Sequence, residues 1–114
     1  MDKRVEKAVI AFTKEQMSCG QSVLKGFQNC HNISDEEITN AKAFGGGRAE
    51  GGLCGALYCA KLLCENDEQK AKLTKGFVAK TKFEQCKEIK KNKTASCAEC
   101  VEYAADTLAK IKKS

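Results

Sequence analysis

Phe44-Gly45-Gly46-Gly47-Arg48-Ala49-Glu50-Gly51-Gly52-Leu53-Cys54-Gly55-Ala56-Leu57-Tyr58-Cys59 is the stretch that organises this chain. Five glycines within eight residues run straight into Cys54 and an apolar segment of helical character. Glycine this dense lets the backbone approach another group closely or take up positive φ. The segment from Leu53 to Cys64 is apolar almost all round, which predicts a buried central helix behind the loop. Cys54 therefore stands where loop becomes helix, beside unpaired N–H groups and the positive end of a helix dipole. Both favour thiolate over thiol.

Helical periodicity extends on either side. Val5, Ala8, Val9 and Phe12 predict a first helix over about Asp2 to Gln16. Ser18-Cys19-Gly20-Gln21 reads as a capping box opening a second helix that carries Val23, Leu24 and Phe27. Ser34-Asp35-Glu36-Glu37 reads as another, starting a third helix through Ile38 and Ala41 to Phe44. Beyond the central helix, Glu65-Asn66-Asp67 starts a lysine-rich helix to about Lys80. Phe83, Cys86 and Ile89 mark a short segment, and Ser96-Cys97-Ala98-Glu99 caps a final helix with Val101, Ala104, Ala105, Leu108 and Ile111. No strand pattern or internal repeat competes with this. The expected fold is all-α: a compact single-domain bundle of about five to six helices spanning 1–114, with the glycine-rich loop before a buried central helix.

Composition agrees. The chain has 114 residues, no Pro and no Trp, and a domain of this size can bury a core without disulfides. Eight cysteines are many for such a chain. Met1-Asp2-Lys3-Arg4-Val5-Glu6-Lys7 is charged, with no apolar export segment after it, and no run approaches the ~18 apolar residues of a membrane span. These features predict a cytoplasmic protein, away from membranes, with reduced or metal-bound cysteines. The net charge is +5. Lys70, Lys72, Lys75, Lys80, Lys82, Lys87, Lys90, Lys91 and Lys93 concentrate the positive charge in the second half. They read as a solvated face, suited to docking an acidic protein partner. Few aromatics or arginines interleave with them and no recognition motif is present, which disfavours nucleic acid.

Cys19 and Cys97 each fall directly after a capping serine, at the first position of a predicted helix. With Cys54, that places three cysteines at three helix N-termini, an arrangement suited to thiolates or a thiolate-ligated cluster. Cys97-x-x-Cys100 is the closest cysteine pair, and residues three apart share a helix face. It could hold metal or act as a redox dithiol. No second CxxC completes a zinc ribbon, so a metal site must gather ligands from distant segments. Cys54, Cys59 and Cys64 are five apart, a rotation of about 140° per step, so they cannot share one face. Cys59 and Cys64 read as small apolar core residues. Cys30 reads similarly, and His31, the single histidine, reads as a surface residue. The glycine spacing matches neither GxGxxG nor a P-loop, which argues against nucleotide binding. No Ser-His-Asp or paired-carboxylate set is legible.

Gly45-Gly46-Gly47 and Gly51-Gly52-Leu53-Cys54-Gly55-Ala56-Leu57 resemble the core of the small redox-active proteins named for the pattern C_GCAxxG_C_C. Ser18-Cys19-Gly20-Gln21-Ser22-Val23-Leu24 resembles that family's first cysteine segment, usually asparagine-cysteine-alanine-glutamine followed by apolar residues. Phe77, nine residues before Cys86, resembles the phenylalanine ahead of the third family cysteine. Cys97-Ala98-Glu99-Cys100-Val101-Glu102-Tyr103-Ala104-Ala105 resembles the fourth segment, with Cys97 the closer equivalent. Cys59 stands in place of a family glycine, Lys82 stands where a glycine is common, and Cys30, Cys64 and Cys100 are additional. The resemblance implies a bound redox group, an iron–sulfur cluster above all, and a partner oxidoreductase or transporter. On that reading Cys19, Cys54, Cys86 and Cys97 converge as ligands, with Cys100 a spare or alternative one. N–H groups of Gly45, Gly46, Gly47, Gly51 and Gly52 would pack against the cluster and tune it. Two alternatives stay open: a thiol–disulfide redox protein using Cys97 and Cys100, or Cys54 and Cys59, with no metal; and a structural or sensing module binding zinc. Homodimerisation is open on all three.

Overall fold

Short polar side chains set the helix starts. Ser18 Oγ accepts from the N–H of Gln21, and Gln21 Oε1 accepts in return from the N–H of Ser18 at 3.0 Å, a complete capping box. Ser96 and Glu99 repeat it at 2.9 and 3.1 Å. Ser34 accepts from the N–H of Glu37, and Asn66 from the N–H of Gln69. Left-handed residues stop three helices: Asn32, Lys82 and Lys93, with φ of 52°, 73° and 52°.

The computed structural model describes residues 3–44 and 52–111. Among them lie seven α-helices: α1 Lys3–Thr13, α2 Cys19–His31, α3 Asp35–Asn40, α4 Gly55–Leu62, α5 Asp67–Thr81, α6 Cys86–Asn92 and α7 Cys97–Ile111, with a 3-10 turn at Ala41–Phe44. This is one more helix than the five to six expected, because the short segment around Ile89 forms a full helix. Gly45, Gly46, Gly47 and Gly51 fall outside the described residues, as do the side chains of Cys30 and His31. No described helix is long and apolar enough to cross a membrane.

The bundle packs around α2, α4 and α7. Val5, Val23, Phe27, Leu57, Leu73, Phe77, Val101 and Leu108 are fully buried. Each contributes about 1.5–3 kcal/mol by leaving water. The expected central helix is confirmed over Gly55–Leu62, where Ala56, Leu57, Cys59 and Ala60 are inaccessible to solvent. Its last turn reaches the surface: Leu62 is 55% exposed. Arg4 ties three helices together. Its guanidinium lies 5.1 Å from the Phe27 ring centroid and donates to the carbonyl of Ala109, near the negative end of α7.

Two close approaches depend on glycine. A Cβ on Gly20 would stand 2.6 Å from Cys59 Sγ and 3.1 Å from the Gly55 carbonyl oxygen. The N-terminal turns of α2 and α4 therefore touch backbone to backbone, and Cys59 fills the notch that Gly20 leaves. Gly26 plays the same part between α1 and α2, against the Arg4 carbonyl and Ala8.

Candidate thiol site

The contact at Gly20 brings the start of α2 against the start of α4, and with it Cys19 against Cys54. An isolated antiparallel bridge between Leu53 and Gln85 draws in a third segment. The N–H of Cys54 donates to the carbonyl of Glu84 at 2.9 Å, which sets Cys86, first residue of α6, beside Cys54. The capping box at Ser96 starts α7 so that Cys97 and Cys100 face the same place. Val101 and Ala104 bury that side of the helix against the core.

The thiols stand near enough to shift one another's ionisation: Cys54 with Cys100, Cys19 with Cys54 and Cys97, Cys86 with Cys54 and Cys59 with Cys54. Cys97 and Cys100 thus face thiols on different segments. No disulfide links the described cysteines. Cys54 and Cys100 are 3% and 4% exposed, whereas Cys19, Cys86 and Cys97 are half-buried. Cys64 lies apart, its thiol donating to the Ala60 carbonyl at 3.6 Å. Cys59 is core, as its sequence setting suggests.

Cys54 is the most readily ionised of the shifted thiols. Its thiol is lowered to about 7, first by the hydrogen bond from Cys100, then by the N–H groups of Leu57 and Ala56 and by Lys90, against the opposing effect of burial. Cys54 is the N-cap of α4 but makes no close capping hydrogen bond, as expected of sulfur, a weak acceptor. The N–H groups act on it electrostatically. The other thiols move the opposite way. Cys100 is raised by its hydrogen bond to Cys54 and then by burial. Cys19 is raised by burial and then by the charge of Cys54. Burial followed by the Cys54 charge pushes Cys59 up to about 12. Burial also raises Cys86, with Lys90 opposing through charge and a hydrogen bond to the sulfur.

A titration follows. In cofactor-free protein, ultraviolet thiolate absorbance should show a first ionisation with a midpoint about 7, abolished by Cys54→Ser. Cys100→Ala should move it upward most, and Lys90→Gln less. The folded value lies below the ordinary 9.0. This group therefore stabilises the fold fully above the ordinary value and loses that contribution as pH falls through the folded one.

The donor set is soft thiolate, the chemistry that zinc and iron–sulfur centres take. As the side chains stand, no group of three or more His, Cys, Asp or Glu among the described residues is arranged to hold a metal ion. Binding a metal there would displace the thiol protons. Sequence reasoning missed the Leu53–Gln85 bridge, which has no strand pattern around it, and Lys90, one lysine among many. Lys90 follows Cys86 by four residues, a spacing that brings side chains together on a helix.

No protein-family model, curated protein or solved structure matches the chain.

Proposed function

We propose that this protein is a redox-active thiolate centre that binds an iron–sulfur cluster through Cys19, Cys54, Cys86 and Cys97, with Cys100 as an alternative ligand. It would serve electron transfer or cluster handling for a partner oxidoreductase. One observation carries the reading: thiols far apart in sequence, at the starts of α2, α4, α6 and α7, interact with one another in one place. A bound cluster would supply one-electron redox chemistry. The chain's own part is to hold negative charge there, through the N-termini of α2, α4 and α7 and through Lys90.

The chain departs from the C_GCAxxG_C_C pattern at the α2–α4 contact. Where that family has alanine after the first cysteine and glycine at the position of Cys59, this chain has Gly20 and Cys59. These two residues face each other across the α2–α4 contact. In this chain the small residue of that contact stands on α2.

The half-buried Cys86 lies on the helix that carries the exposed Lys87, Lys90 and Lys91, with Lys93 capping its end. This is the face on which an acidic partner would dock, close to the site and in the cytoplasm.

Anaerobic loading with ferrous iron and sulfide tests the proposal. A broad visible absorption that dithionite bleaches is expected. Colourless protein holding stoichiometric zinc but no iron would replace the cluster with a structural metal.

A further inference from the structure

α5 buries Leu73, Phe77 and Thr81. Ala71, Thr74 and Val78 share the neighbouring face of the helix, at i, i+3 and i+7, and they stay exposed or half-buried. They floor a groove of about 520 Å3 between α5, the last turn of α4 and the segment that carries Glu84. Lys61, Lys70 and Lys75 line it as well. Lys61 stands 3.8 Å from Glu84, whereas Lys70 and Lys75 have no carboxylate partner among the described residues. A second hollow of about 300 Å3 shares Val78 and Glu84 with the first and adds Leu53, Phe83 and Glu88. The two adjoin as one trough along α5. From Lys70 to the C-cap Lys82 it follows the helix for roughly 18 Å, at 1.5 Å per residue. Its inner end lies against the bridged pair Leu53 and Gln85, and the residues that follow them are Cys54 and Cys86. The trough thus runs from unpaired lysines to the edge of the thiol site.

We propose that this trough seats an acidic, amphipathic segment of a partner protein, its carboxylates toward Lys70 and Lys75 and an apolar side chain against Val78, Phe83 and Leu53. An apolar floor with charge at one end is what an amphipathic helix lays its face into. The charge pattern selects the occupant. The outer end is positive, while at the inner end Glu84 and Glu88 outnumber Lys82. A nucleic-acid backbone, with phosphate at every step, would meet those carboxylates. The trough is also open, since Lys70, Ala71, Lys75 and Glu84 are exposed, whereas a small molecule is normally enclosed over most of its surface. Lys87, Lys90 and Lys91 line neither hollow, so this seat is distinct from the α6 face. That a seated partner exchanges electrons or metal with the thiols rests on the redox reading above. The docking does not.

The test uses the full chain, reduced and free of iron. Failure to load a cluster would therefore leave its result standing, and absence of docking would leave the ligand set standing. Random peptides of about twelve residues, the length of the trough as helix, are displayed on phage and selected on the protein. Those recovered should join two or more Asp or Glu to a large apolar residue. The most frequent is synthesised with a fluorescent label, and its binding is followed by anisotropy at physiological salt. Lys70→Glu with Lys75→Glu should weaken it about tenfold or more, because like charges then meet. Ala71→Glu should act in the same direction from the floor. All three positions are exposed, and circular dichroism confirms that each variant is folded. Lys87→Glu with Lys91→Glu, an equal change of charge outside the trough, should cost no more than about threefold, because salt screens it. Alanine in place of the peptide's apolar residue should cost about tenfold. No enrichment over bare support, peptides without the acidic and apolar pattern, an equal loss from the α6 pair, or displacement by a single-stranded oligonucleotide of equal charge would overturn the proposal.

Discussion

Cys54→Ser should leave the anaerobically purified protein without iron and without visible absorbance, whereas Cys64→Ser should retain both. The contrast comes from position. Cys54 has its ionisation shifted by Cys100 and Lys90, and its N–H bonds the Glu84 carbonyl where two segments meet. Cys64 lies past the other end of α4, its thiol bonded to the Ala60 carbonyl. Eight helical residues separate the two, roughly 12 Å at 1.5 Å each. Serine differs from cysteine by one atom, and its hydroxyl stays protonated at neutral pH. It is also a preferred N-cap, so α4 should start as well or better in the variant. Loss of iron in a protein with unchanged helix content would therefore report a lost ligand and not a lost fold. Equal loss from both variants would mean that ligand and packing roles are wrongly divided.

Gly26→Ala should lower stability by about 1–3 kcal/mol, the range for overpacking a filled interior, or ~4–20 °C in Tm for a domain near this size. A Cβ there meets the Arg4 carbonyl oxygen, with Ala8 Cβ at 2.9 Å and the Ala8 nitrogen at 3.1 Å. Backbone on the facing helix cannot rotate away, so α1 must lift off α2. Gly76→Ala is the matched comparison. Its Cβ would meet Thr107 Cγ2 at 2.6 Å, but that is a half-buried side chain at the α5–α7 contact, which can turn. There the helix-forming advantage of alanine, about 1 kcal/mol, should dominate and the variant should be neutral or more stable. Thermal unfolding followed by circular dichroism reads both. Similar behaviour of the two would show that the α1–α2 crossing is looser than described.

The helices were legible because their start signals are local. A serine and the Gln or Glu three residues on define α2 and α7 whatever the rest of the chain does. Val23, Phe27, Val101, Ala104 and Leu108 follow from the periodicity those caps launch. The position of Cys19 and Cys97 at first helical turns followed from the same caps. What was not legible is how the segments meet. The bridge at Leu53 and Gln85 is a backbone pairing without a side-chain pattern. The pairing of Cys54 with Cys100 and Cys19 with Cys97 depends on the direction from which α7 crosses α4 and α2, which no local signal encodes. The Gly20–Cys59 contact is intermediate. Gly20 and Cys59 are each unremarkable in their own helices, and their fit becomes visible only once the two are known to touch.

The central claim is that cysteines from four helices form one ligand set. Its most direct test is to map alkylation of every cysteine by mass spectrometry in iron-loaded protein and again after the iron is chelated away. Cys19, Cys86 and Cys97 are half-buried and open to reagent without a cofactor, so burial alone does not hide them. The account predicts that these three are protected together when iron is bound and released together when it is removed, while the buried Cys54 reacts slowly in both states and Cys64 is unchanged. Protection of only one of Cys19, Cys86 and Cys97, or loss of protection one cysteine at a time with distinct chelator midpoints, would contradict it.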